Sequence, residues 1–210
     1  MFIFIFFILI LLISLTFHEY AHGWVAYKLG DSTAKDCGRL SLNPLSHIDI
    51  FGTVILPILL LAASTRLGHP FSFGYAKPVP INPYHFKNPK KDIRWVGAAG
   101  PAANILIALL LALIIKAKLT MPVLIDILIW GIMINLILAI FNIIPIPPLD
   151  GSKIVASFLP SRISYKYLKL QTYGFIFILL LIHLRFFDWF ILPIVNIFFR
   201  VMGISNYYPV

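Results

Sequence analysis

Long apolar runs decide what this chain can become. Phe2 to Leu29, Val96 to Ile115 and Val123 to Ile144 each reach the ~20 residues that an α-helix needs to cross about 30 Å of hydrocarbon. Hydrophobic residues make up 60% of the 210 positions and charged residues only 12%, a balance foreign to soluble domains. In lipid the runs need no hiding, and because no water is there to satisfy the backbone they must be helical. The other runs are less regular. Phe51 to Ala63 is short and carries Gly52, Thr53 and Pro57, which predicts a re-entrant segment over about residues 50–65 rather than a span. Leu170 to Leu184 and Phe186 to Met202 are divided by Arg185 and Asp188, which predicts a helical hairpin. The N-terminus lacks a basic n-region and a small-x-small cleavage site, so it reads as a retained first helix.

The expected fold is therefore an all-α polytopic membrane protein with about five transmembrane helices and one re-entrant segment. A membrane core spans 1–155, with a polar, proline-rich loop at about 66–94, and a C-terminal hairpin occupies 156–210. Within the loop, Tyr75 to Ile81 contains Pro78 and Pro80, and each proline holds its predecessor in β or polyproline geometry. A short membrane-edge β-hairpin is expected over Gly74 to Pro83. No repeat relates the two halves, which removes the usual sequence sign of an inverted-repeat transporter.

The formal charge of +9 does not point to nucleic acid, because the basic residues lie between the apolar runs, where membrane proteins keep topogenic charge. If Phe51 to Ala63 does not cross, nearly all of them fall on the side reached by the end of the first helix, and Lys116, Lys118 and Arg185 face the other way. The positive-inside rule then puts the N-terminus outside and the long loop in the cytoplasm. Cys37 is the single cysteine, so an intrachain disulfide framework and a four-cysteine metal site are both excluded.

The residues that carry chemistry sit in the first run. His18-Glu19-Tyr20-Ala21-His22 places two imidazoles one helical turn apart on one face, where both can reach one metal ion. Glu19, the only glutamate in the chain, lies beside them and can relay a proton from an attacking water to a leaving amine. An ionisable group inside a span costs about 3 kcal/mol unless it is paired or functional, which argues against polar filler. Two histidines leave a catalytic zinc one protein ligand short. Asp150, the other histidines, Asp49 and Cys37 can each supply the third. Asp150 stands out because it follows the Val123 to Ile144 run directly, in Asn142-Ile143-Ile144-Pro145-Ile146-Pro147-Pro148-Leu149-Asp150-Gly151. With a re-entrant Phe51 to Ala63, that run travels in the same direction as the first helix, so Asp150 emerges at the depth of His18 and His22.

Three motifs give the chain its likeness to a family: His18 to His22, Gly100-Pro101-Ala102-Ala103-Asn104, and Asn142 to Gly151. With Gly38 to Pro44 and His47-Ile48-Asp49 they make residues 14 to 155 resemble the site-2 proteases, zinc metalloproteases that cut peptide bonds within the membrane. This looks like a short form, without room for a PDZ or CBS domain. The resemblance implies that His18, His22 and Asp150 hold one Zn2+ ion, that Glu19 is the general base, and that Asn142 positions substrate or stabilises the oxyanion. It also suggests substrate contacts for Asn104, Pro145 and Pro147. For Asn104, packing or helix capping is the other reading. The partners implied are a transmembrane protein substrate and the lipid bilayer; the sequence permits a homo-oligomer. The competing reading of the same ligands is a non-proteolytic metal-binding membrane protein or transporter, and a zinc hydrolase acting on a small amide or lipid is a third.

Overall fold

The computed structural model describes residues 2–55 and 76–207. Three helices are long and apolar enough to cross a bilayer: α1 (Phe2–Lys28), α3 (Pro89–Lys116) and α4 (Pro122–Ile143). Pro89 and Pro122 stand in the first turns of α3 and α4, where the missing N–H is not needed and the fixed φ suits a helix start. Pro145, Pro147 and Pro148, just after Ile143, stop α4. A single turn, α2 (Thr33–Asp36), follows α1. Beyond the spans come α5 (Asp150–Phe158), α6 (Ser161–Leu168), α7 (Gly174–His183) and α8 (Leu192–Val201).

Polarity is arranged inside out. On α1 the residues Ser14, His18, His22 and Ala26, four apart, are buried, whereas Phe6, Leu9, Ile13, Phe17 and Trp24 are exposed. On α3 the buried face reads Gly97, Gly100, Asn104, Ala108 and Ala112, and Leu106, Leu110 and Leu113 point outward. Lipid gives apolar side chains no reason to turn inward, so the interface is left to small residues that let backbones approach and to polar groups that bond across it. Ser14 and His18 of α1 bond Asn104, and His22 bonds the Val96 carbonyl, so α1 and α3 run antiparallel. Asn104 also bonds Asn135, and Gly131 lies against Leu111, so α3 and α4 are antiparallel too. Hence α1 and α4 share a direction, as the sequence argument for Asp150 required.

Among the described residues three helices are long and apolar enough to span, where the sequence predicts about five. Helix α7 has 10 residues, about 15 Å, and α8 with the π-helical turn Phe187–Ile191 that runs into it reaches about 22 Å, both short of a bilayer. The chain breaks between them at Arg185, where φ is 53°. Both helices pack Ile178, Val195 and Phe199 into the apolar cluster built on Ala108, Ile132 and Leu136. At the site of the expected re-entrant segment, Ile50–Ile55 forms a wide helical turn, capped where Asp49 Oδ1 accepts from Gly52 N at 2.7 Å; residues 56–65 lie outside the described residues. Of the expected β-hairpin, Gly74 and Tyr75 also lie outside them, and 76–82 form no strand. That segment is held by the rest of the loop instead. Lys77 N donates to the His47 carbonyl at 2.9 Å, and Arg39 donates to the carbonyls of Lys77 and Pro78. These bonds and the two prolines in the run fix its position without strand pairing among the described residues.

A polar staple closes this end of the bundle. Asp31, fully buried just past α1, accepts from Thr33 N at 3.0 Å, Asn82 N at 2.7 Å and His85 Nδ1 at 3.0 Å. Phe86 and Val96 pack on Ala26 beneath it.

Candidate metal centre

Helix α1 delivers His18 and His22 on successive turns of its buried face, with rings edge to face at 4.7 Å between centroids. Both are almost fully buried, at 4% and 3% exposure. Asp150, 6% exposed, arrives from the first residue of α5. Its delivery depends on Gly151, where an added Cβ would run into the Ile143 carbonyl; only glycine lets the chain double back against the end of α4. His18 Nε2, His22 Nε2 and Asp150 Oδ2 are mutually 3.0 Å apart. Among the described residues this is the one cluster of three such ligand atoms.

The far nitrogens are already committed. His22 Nδ1 lies 2.6 Å from the Val96 carbonyl and His18 Nδ1 lies 2.5 Å from Asn104 Oδ1. Oxygens of this kind only accept, so both Nδ1 atoms donate, and in the neutral rings both Nε2 atoms carry the lone pair, directed at the shared point. Across from them is Gly100. A Cβ there would sit 2.5 Å from His18 Nε2 and closer still to His22 Nε2, so the absent side chain leaves room just where an ion would bind. Two neutral imidazoles, one carboxylate and an open face are the donor set of a catalytic zinc site.

Burial pushes the Asp150 carboxyl up, and the Lys153 ammonium, 2.8 Å from Oδ1, opposes that and favours the carboxylate. Glu19 is half-buried, and its Oε2 accepts from Val79 N at 2.9 Å.

Other expected site residues fall differently. Asn104 is fully buried between α1, α3 and α4, on the His18 ring. Asn142 Nδ2 donates back to Leu138 O at 2.9 Å, within α4. Pro145 is exposed, its carbonyl taking the Tyr167 hydroxyl proton, and Pro147 is buried. His47 donates from Nε2 to Ser41 O at 2.8 Å and braces the loop. Sequence reasoning passed over Ser14 and Asn135, both buried behind His18; the available signal was an amide in the middle of a long apolar run.

Comparison with known proteins agrees with this geometry. The model of peptidase family M50 matches residues 6–123 and 114–182. The chain is 39% identical, over 83% of its length and 78% of the relative's, to "Putative zinc metalloprotease YwhC" of Bacillus subtilis. It is 27% identical, over 93% and 73%, to "Putative zinc metalloprotease Rip2" of Mycolicibacterium smegmatis. No solved structure matches it. A matched family model over most of the chain and a relative of this likeness place the protein in peptidase family M50, the site-2 protease family of metallopeptidases.

Proposed function

We propose that this protein is an intramembrane zinc endopeptidase that cleaves transmembrane protein substrates within the bilayer, in regulated intramembrane proteolysis. The observation that carries the reading is the position of the ligand triangle, between helices whose outer faces are apolar along their length. His18, His22 and Asp150 would hold one ion. Zinc, when bound, polarises a scissile carbonyl and acidifies an attacking water. Glu19 takes that water's proton and hands it to the leaving amine, and for this its carboxylate exchanges the Val79 N–H for the water. Asn142 would donate to the developing oxyanion once its amide leaves the Leu138 carbonyl. A spanning substrate shields its peptide bonds in its own helix, so it must unwind near Glu19 before cleavage; Pro145 and Pro147 lie on the loop that leads to Asp150 and are the proposed contacts for the unwound chain.

The basic residues at the α1 C-terminus, the α3 N-terminus and on α5 to α6 support an N-terminus outside the cell and an active site toward the cytoplasm. The decisive variant is Glu19→Gln. It should retain wild-type zinc content and lose cleavage by about 10²–10⁴-fold, so that a single-span protein accumulates in membranes carrying the variant. If purified wild type contains zinc and no membrane protein differs between the two strains, the protease reading fails.

A further inference from the structure

Behind His18 lies a chain of amides that reaches a helix with no ligand on it. Asn104 Nδ2 donates to Asn135 Oδ1 at 2.7 Å and to the Ser14 carbonyl at 3.3 Å. Asn135 Nδ2 in turn donates to the Gly131 carbonyl and to Ser14 Oγ, both at 2.8 Å. Asn104, Asn135 and Ser14 are 0%, 1% and 2% exposed, so no solvent can substitute for a missing partner. Every N–H of both amides is used.

The network has a direction, and backbone sets it. The Gly131 carbonyl can only accept, so the NH2 end of Asn135 must face it and the oxygen of Asn135 must face Asn104. Asn104 must then present its NH2 to Asn135, which the Ser14 carbonyl demands as well. Its oxygen is left for His18 Nδ1, which must carry a proton, so that in the neutral ring the lone pair is on Nε2, 3.0 Å from Asp150 Oδ2. If the Asn104 amide were turned over, its NH2 would face Nδ1 and the proton of His18 would move to Nε2, the atom at the ligand triangle. A neutral imidazole in that form cannot ligate there.

We propose that Asn135 is a positioning residue of the metal centre: through Asn104 it fixes His18 as the Nδ1–H tautomer, so that α4 selects the metal-competent form of a ligand carried by α1. The proposal rests on the metal-centre reading above, and its test separates the two. Full-length wild type, Asn135→Leu and Asn135→Asp are purified in detergent. Zinc affinity is measured by competition with a chromogenic chelator. The His18 tautomer is read in metal-free protein by 15N NMR of histidine-labelled samples, with His18 assigned by its loss in His18→Gln. An acid at 135 in this apolar setting stays neutral; it can donate its O–H to the Gly131 carbonyl and accept from Asn104, so the direction is kept.

Wild type and N135D should show Nδ1–H and bind zinc within about threefold of each other, whereas N135L should show mixed tautomers and bind about 10–100-fold more weakly. The proposal is overturned if N135L matches wild type in both measurements, or if N135D loses as much as N135L, as a packing defect would. If N135L does not fold, the wild-type spectrum decides alone, and an Nε2–H His18 overturns it. Wild type that binds no zinc yet shows Nδ1–H sinks the metal reading and leaves the relay standing.

Discussion

At position 100 the whole site depends on a missing atom. Gly100→Ala would place a methyl group against both Nε2 atoms, on the rigid backbone of α3, where it cannot swing aside. Zinc content of the purified variant should fall to background while the helical circular dichroism stays at wild-type strength. Asp31 makes a different kind of prediction. Burial raises its carboxyl, yet the hydrogen bonds from Thr33, Asn82 and His85 prevail and hold it below its ordinary value. A carboxylate lowered in the fold stabilises fully above its unfolded value of about 3.9 and loses that contribution as pH falls through the folded one. Asp31→Asn should therefore cost about 1–3 kcal/mol near neutral pH and flatten the loss of stability below pH ~4, as thermal melts across a pH series would show. The chemistry at this scale was largely legible. His18, Glu19 and His22 form a local pattern, and a helical period suffices to bring them together. Asn104 was read as a substrate contact or cap because nothing in a sequence says which way an amide faces. The pairing of Ser14 with Asn135 stayed silent because it joins positions far apart in the chain.

Elements place these side chains with little freedom. Helix α5 begins on Asp150 and is pressed against the end of α4 by Gly151. An alanine at 151 meets a backbone carbonyl, not a yielding side chain, so the start of α5 must shift away from α4 and take Asp150 with it. We expect Gly151→Ala to weaken zinc binding at least tenfold in chelator competition, while Ser152→Ala, whose hydroxyl only returns to Leu149 O, stays close to wild type. The parallel run of α1 and α4 could be argued from sequence because a ligand had to reach its partners, and that requirement excludes one direction. The shortness of α7 and α8 could not. The break itself was legible, since Arg185 and Asp188 divide the two apolar runs, but composition does not show that it is a left-handed turn or how few residues are helical on either side of it. The β-hairpin failed for a related reason. Proline fixes extended geometry but not a partner, and here the partners of 77–79 are Arg39, His47 and Glu19.

The molecule as a whole is a bundle with a charged end and an apolar girdle. The end of α1, the start of α3 and helices α5 and α6 carry Lys28, Lys90, Lys91, Arg94, Lys153, Arg162 and Lys166, and the opposite end carries Lys116 and Lys118. Cys37 is exposed at the charged end, so the natural sequence contains its own topology probe. In intact cells a membrane-impermeant maleimide should leave Cys37 unlabelled, and in inverted vesicles it should label it; the reverse pattern would turn the protein over in the membrane. The bond from Val79 N–H to Glu19 has a consequence for how such a protein can change over generations. Between Pro78 and Pro80, Val79 supplies the only amide hydrogen, and the bond is indifferent to which side chain that residue carries. Spelling changes at 79 can therefore drift past selection for this contact, whereas a one-residue gain or loss between the anchored Lys77 and Asn82 would put a proline nitrogen opposite the Glu19 carboxylate. What heredity must preserve there is a count, not a letter.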